Sequence, residues 1–142
     1  MRRRDTPMPW DRVTIPESCP QCGATAMASH VQRGASMGYA FSFECTVCRY
    51  QTMADGDMPP EDVRAVFLAT SGTWELIHDT DDEKRPQLAR FLVDDLGVER
   101  AAAVKLAKSR GATLTTGTRV EMEWLHRRLA AHGLTTDLRR VR

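Results

Sequence analysis

Cys19, Cys22, Cys45 and Cys48 are the only cysteines of the chain, in two Cys-x-x-Cys pairs separated by twenty-two residues. A Cys-x-x-Cys turn carries two sulfurs on one tight bend, where backbone amides stabilise them as thiolates. Two such turns supply the four soft ligands of a tetrahedral zinc site. Gly23, directly after the first pair, can take the positive φ such a knuckle needs. Two disulfides, a redox Cys-x-x-Cys and an iron–sulfur cluster are the competing uses of these residues. Four thiolates close the coordination shell, so a zinc ion here is expected to be structural.

The remaining residues offer little other chemistry. His30, His78, His126 and His132 are scattered, and none adjoins a serine, cysteine or acid in a nucleophile pattern. Phosphate-binding loops and dinucleotide fingerprints are absent from the sequence. The acidic run 79–83 has the look of a hard-metal site, but acids before a helix are expected from the helix dipole alone. A non-enzymatic role follows as the expectation.

The chain has 142 residues, 42% of them apolar and 27% charged, with a formal net charge of +1. That balance gives no overall pull toward nucleic acid or anionic lipid. No apolar stretch has the length that spans a bilayer. The basic start, Arg2 to Arg4, is followed by Asp5 and Asp11 instead of the apolar run of a signal peptide. A cytoplasmic protein is expected, and paired cysteines there favour a metal over disulfides.

The elements that position the cysteines read as β. Tyr39, Phe41 and Phe43 alternate with small or polar residues, the period of a strand with one apolar face. Residues 34–38 suit a turn, and residues 25–32 a partner strand. Residues 54–60, ending in Pro59 and Pro60, mark a seam. The expected fold is therefore α+β: an arm and β zinc ribbon over 1–58, then a small sandwich of three helices on a short sheet over 59–142.

In that second part, residues 63–70 and 73–79 read as a hairpin, with a short helix over 61–68 as the alternative. Thr80 and Glu83 have capping-box spacing before a stripe of Leu88, Phe91, Leu92 and Leu96, and Gly97 is placed to stop that helix. A second helix spans 98–110, followed by a strand over 112–116. Thr118 and Glu121 cap a third helix carrying Met122, Leu125 and Leu129, and a last strand runs over 134–141. Trp74 and Trp124 sit in patterned elements and are expected to pack.

From Trp74 to Val141 this order resembles the C-terminal domain of the bacterial ribosomal stalk protein. Gly97 and Val98 between two helices, residues 112–117, the leucines of the third helix and Gly133 carry the resemblance. The Clp protease adaptor for N-degrons shares that fold, and residues 77–82 are similar to its substrate-binding edge. The resemblance implies a binding fold. In the stalk protein, a basic and apolar patch on the first two helices contacts translational GTPases, and Arg85 and Arg90 fall where two of its basic residues lie. Val93, Asp94 and Asp95 then depart from it, so recruitment of those GTPases does not transfer. The expected partner is another protein, with this chain acting as an adaptor or inhibitor-like binder. Nucleic-acid or ribosome association, through arginines such as Arg33 and Arg49 near the aromatic strand, is the alternative. No membrane is expected.

Overall fold

A computed structural model of the chain describes residues 10–34 and 37–141. Arg2 to Arg4, Pro7 and Pro9 lie outside these residues, as do Ala35 and Ser36 of the expected turn. The chain is mixed α+β, with two antiparallel sheets and four α-helices among the described residues, and divides into compact units Met1–Ser71 and Gly72–Arg142.

The first unit is built on a four-stranded antiparallel meander of β1 (Trp10–Ser18), β2 (Thr25–Arg33), β3 (Gly38–Glu44) and β4 (Gln51–Gly56), in the order β1-β2-β3-β4. The register sets Val13 opposite His30 and His30 opposite Phe41, with Ile15, Ala28 and Phe43 in the next row. Period-two alternation then puts these residues on one face. β1 lay within the expected arm, yet Val13 and Ile15 alternate with Arg12 and Thr14. Pro16 fits because β1 is an edge strand, where a missing amide donor costs no ladder bond. β4 has almost no apolar signal of its own.

Residues 63–70, expected as a hairpin arm with a short helix over 61–68 as the alternative, follow the alternative and form helix α1 (Glu61–Ser71). Pro60 accepts the first helical bond from the Arg64 amide at 2.8 Å, and Glu61 and Asp62 sit in the first turn, where the dipole favours acids. Val63 and Phe67, four apart and so on one helix face, bury against Val13 and Tyr39 of the sheet. The division of the chain accordingly falls after Ser71 and not at Pro59. The two prolines start a helix that returns to the first sheet, and a Pro-rich turn alone does not say which neighbour the next element joins.

His30 sits in this core at 2% exposure, its Nδ1 joined to the Tyr39 hydroxyl at 2.6 Å and its ring 5.1 Å from that of Phe41. Its Nε2 has no hydrogen-bond partner among the described residues and lies 4.0 Å from Glu17 Oε1. Burial lowers the His30 pKa, against the raising effect of Glu17 and Asp62.

In the second unit, β5 (Trp74–His78) is the central strand of a sheet ordered β6-β5-β7, antiparallel to both β6 (Thr113–Gly117) and β7 (Thr136–Arg140). Helices α2 (Arg85–Leu96), α3 (Arg100–Lys108) and α4 (Arg119–Ala131) pack a core of Leu76, Leu88, Phe91, Leu92, Leu125 and Leu129. The Thr118–Glu121 capping box forms in both directions, and Gly97 ends α2 at φ 67°. The Thr80–Glu83 box does not form. One 3₁₀ turn, Asp82–Lys84, precedes α2, and the Thr80 hydroxyl instead donates to the Thr135 carbonyl at 2.9 Å. The Thr80 amide donates to His78 Nδ1 at 2.9 Å, so His78 Nε2 is the donor to the Ala107 carbonyl at 2.8 Å.

The lowered His30 pKa has a signed consequence. The unfolded chain carries an ordinary imidazole near about 6.5 and takes up its proton first as the pH falls. His30 therefore leaves stability intact above that pH and erodes it progressively below. An NMR titration of the His30 ring in zinc-saturated protein is expected to show a midpoint under about 6.5; a midpoint above it contradicts the burial argument.

Candidate metal centre

The meander brings the four cysteines together. The β1–β2 and β3–β4 connections lie at the same end of the sheet, and the pairing of β2 with β3 sets them side by side. Both connections fold alike. The Gly23 amide donates to the Cys19 carbonyl at 2.9 Å and the Cys19 amide to the Ala24 carbonyl at 2.8 Å. The Arg49 amide donates to the Cys45 carbonyl at 3.0 Å and the Cys45 amide to the Tyr50 carbonyl at 2.8 Å. Gly23 and Arg49 hold the same place in the two turns, with φ of 77° and 67°. Gly23 was legible as a knuckle glycine. Arg49 was not, although its position directly after the second Cys-x-x-Cys is the signal that could have found it.

All four Sγ atoms lie within 4.8 Å of one another, with Cys19 3.6 Å from Cys48 and Cys22 3.5 Å from Cys45. A tetrahedron of Zn–S bonds near 2.3 Å has edges of about 3.8 Å, so the spacing fits a single ion. Cys19 and Cys45 are buried, while Cys22 and Cys48 are exposed. The inner side is closed by Ala28 and Phe43, and the Phe43 ring lies 6.5 Å from that of Tyr50.

Backbone amides converge on the sulfurs. The amides of Cys48 and Val47 pull the Cys45 thiol down to about 6. Burial raises Cys19, but the amides of Cys22 and Gln21, the latter 3.4 Å from its sulfur, leave it lowered. Cys22 and Cys48 receive one amide each, from Ala24 and Tyr50; crowding by the other sulfurs and burial leave both raised, Cys48 to about 12. Four thiolates this close repel one another, and a dication among them removes that repulsion. The cluster thus has the ligand number, spacing and charge to hold a metal ion, with no position left for a substrate.

The other residues singled out in the sequence do not join it. His30 and His78 are core residues, His126 Nδ1 meets the Thr136 hydroxyl at 2.8 Å, and His132 packs its ring 6.0 Å from that of Phe91. Asp79, Asp81 and Asp82 are engaged in ion pairs instead of gathering round a cation. Asp79 meets Arg110 at 3.1 Å, Asp81 meets it at 3.8 Å, and Asp82 meets Arg85 at 2.7 Å. Trp74 and Trp124 are half-buried against the second core, with the Arg128 guanidinium 4.8 Å from the Trp124 ring centre. Trp10 opens β1 opposite Arg33, 38% exposed. No helix among the described residues is long and apolar enough to cross a membrane.

Comparison with family models, curated proteins and solved structures finds no match to this chain.

The matched turns predict opposite effects of exchanging their fifth residues. A Cβ at Gly23 would touch nothing within 4 Å, so Gly23→Ala costs about 1 kcal/mol through the left-handed backbone alone. Arg49→Gly relieves the same strain. It gives up only an exposed ion pair with Glu44 at 3.8 Å, which is worth little. Thermal unfolding with zinc in excess is expected to move down for the first variant and up for the second; a fall in both would refute the equivalence of the turns.

Proposed function

We propose that this chain is a non-enzymatic protein-interaction module, an adaptor or inhibitor-like binder whose first unit is a zinc ribbon closed by one structural ion. Zinc is the ion of choice on three grounds: four thiolates, two separate knuckles and near-tetrahedral spacing. Thiolates that persist as ligands need a reducing compartment, which favours the cytoplasm.

The observation that carries the binding reading is a groove between α2 and α3. Two adjoining hollows of about 240 and 260 Å³ share Ala89 and Val104, with Pro86, Val93 and Ala107 completing the apolar lining. Val104 is 41% exposed in the middle of α3. Arg90, Arg100 and Lys108 stand at its rim and make no ion pair among the described residues; Asp94 is the one acid in the lining. An acidic, amphipathic segment of a partner protein matches both the floor and the rim. The strand-helix-helix-strand-helix-strand order from Trp74 supports the resemblance to the ribosomal stalk C-terminal domain and the Clp adaptor, both binding folds.

A second reading, nucleic-acid binding, draws on Trp10, which lies beside Arg12 and Arg33 on the open face of the first sheet. Salt separates the two, because phosphate contacts weaken steeply as salt rises.

Purified protein is expected to carry about one equivalent of zinc by elemental analysis, lost on Cys19→Ser or Cys45→Ser. Zinc-free protein with a cooperatively folded first unit would reject the metal reading. For the partner, affinity capture from the native cytoplasm is expected to retrieve one reproducible protein that is lost with Val104→Asp and Arg100→Glu together. Retrieval of RNA or DNA with no such protein, released by moderate salt, would replace the binding module by the nucleic-acid reading.

A further inference from the structure

Each exposed sulfur of the cluster faces a buried sulfur of the opposite knuckle, Cys48 against Cys19 at 3.6 Å and Cys22 against Cys45 at 3.5 Å. The two members of each pair are held differently. Cys19 takes the amides of Gln21 and Cys22, and Cys45 takes those of Val47 and Cys48, whereas Cys22 and Cys48 take one amide each. The Gln21 amide donates to Cys19 Sγ at 3.4 Å and Cys48 Sγ meets the Gln21 side-chain oxygen at 3.6 Å, and the exposed sulfurs are the ones accessible to an oxidant. A disulfide bond of about 2.0 Å is reached by a shift of about 1.5 Å of the exposed member.

We propose that the cluster is a peroxide-sensitive switch that exchanges its metal for two cross-knuckle disulfides, Cys19–Cys48 and Cys22–Cys45. The proposal rests on the zinc reading above. In the first half, Cys48, deprotonated as a metal ligand, attacks one oxygen of hydrogen peroxide. The O–O bond breaks, Cys48 becomes a sulfenic acid, and the leaving hydroxide takes a proton to form water. The Cys19 thiolate then attacks the Cys48 sulfur. The S–O bond breaks, the disulfide forms, and a second hydroxide is protonated to water. Cys22 and Cys45 repeat the sequence with a second peroxide. Four thiolates are oxidised, two peroxides are reduced, and the metal ion, stripped of its ligands, passes to solvent.

The product differs from ordinary metal loss. Both new bonds join the β1–β2 turn to the β3–β4 turn, the same connection the ion makes. The oxidised sheet is therefore held closed, while a chelated, reduced sheet is not. What changes is the knuckle surface: two exposed thiolates disappear, and the net charge at that end shifts.

The test treats zinc-loaded, full-length protein with hydrogen peroxide while a chromogenic chelator reports free zinc. Complete release is expected at about two peroxides per zinc, with loss of all free thiols. Non-reducing peptide mapping with fragmentation is expected to show Cys19–Cys48 and Cys22–Cys45, and thiol reductant with zinc to restore the starting protein. Hydrogen exchange of β2 and β3 amides should stay slow in the oxidised form and become fast after chelation of the reduced form. Links within a knuckle, links of Cys19 to Cys45, or sulfinic acids in place of disulfides overturn the switch while leaving the zinc reading standing. Protein that carries no metal before treatment overturns the zinc reading itself.

Discussion

Four cysteine sulfurs within 4.8 Å of one another are the constraint that shapes one end of the first unit. Without a cation the sulfurs oppose one another's ionisation, which keeps Cys22 and Cys48 raised, and the β2–β3 pairing alone holds the two turns side by side. With one, the β1–β2 and β3–β4 connections are pinned together and the meander between them is closed at that end. The buried cluster around the site is small, made of Ala28, Phe43, Cys19 and Cys45 with partly buried neighbours. Apolar burial of that size contributes little, so a metal held by the four cysteines would add to the stability of that end. The other end of the sheet is held by different means, as α1 lays Val63 and Phe67 on Val13 and Tyr39.

The second unit is stabilised without metal ligands. Its core of leucines, Phe91 and Met122 is continuous through three helices and one sheet face. Its helix ends are closed by groups the sequence supplies locally: Glu99 accepts from the amides of Ala101 and Ala102, Thr118 and Glu121 cap each other, and Gly97 turns the chain after α2. Such a scaffold can leave small apolar side chains exposed on its helices, because the core is complete without them. Val104 is of this kind, with Ala89 half-buried against the core beside it, and Arg90, Arg100 and Lys108, unpaired among the described residues, give that surface a sign.

The two units therefore divide the work by physical type. The first gathers four cysteines that could hold a metal beside a small apolar core, and hydrophobic packing fixes the second. The histidines, which in another protein could have ligated metal or carried protons, are used for packing and hydrogen bonding. His78 closes a loop between two backbone partners, Thr80 and Ala107, and His30 fills the core under α1 with one nitrogen left over. The acids near α2 likewise go to ion pairs with Arg85 and Arg110.

The sequence by itself determined which four cysteines could act together, because thiol chemistry and Cys-x-x-Cys spacing are local properties. It also determined the helix ends where capping is local, at Gly97 and Thr118, and the alternation of β3. Only the tertiary structure decided the rest. Residues 61–71 carry helix and strand signals of similar strength, and contact with Val13 and Tyr39 resolves them as a helix of the first unit. Strand β4 has little apolar pattern and exists because β3 offers it a partner. The Thr80–Glu83 box was locally sound, yet the hydroxyl found the Thr135 carbonyl, fifty-five residues away in sequence. Arg49 takes a left-handed conformation that its side chain disfavours, because the second knuckle must match the first. Spacing named the four ligands, but which sulfurs face each other across the knuckles is a distance, and only the pairing of β2 with β3 could set it.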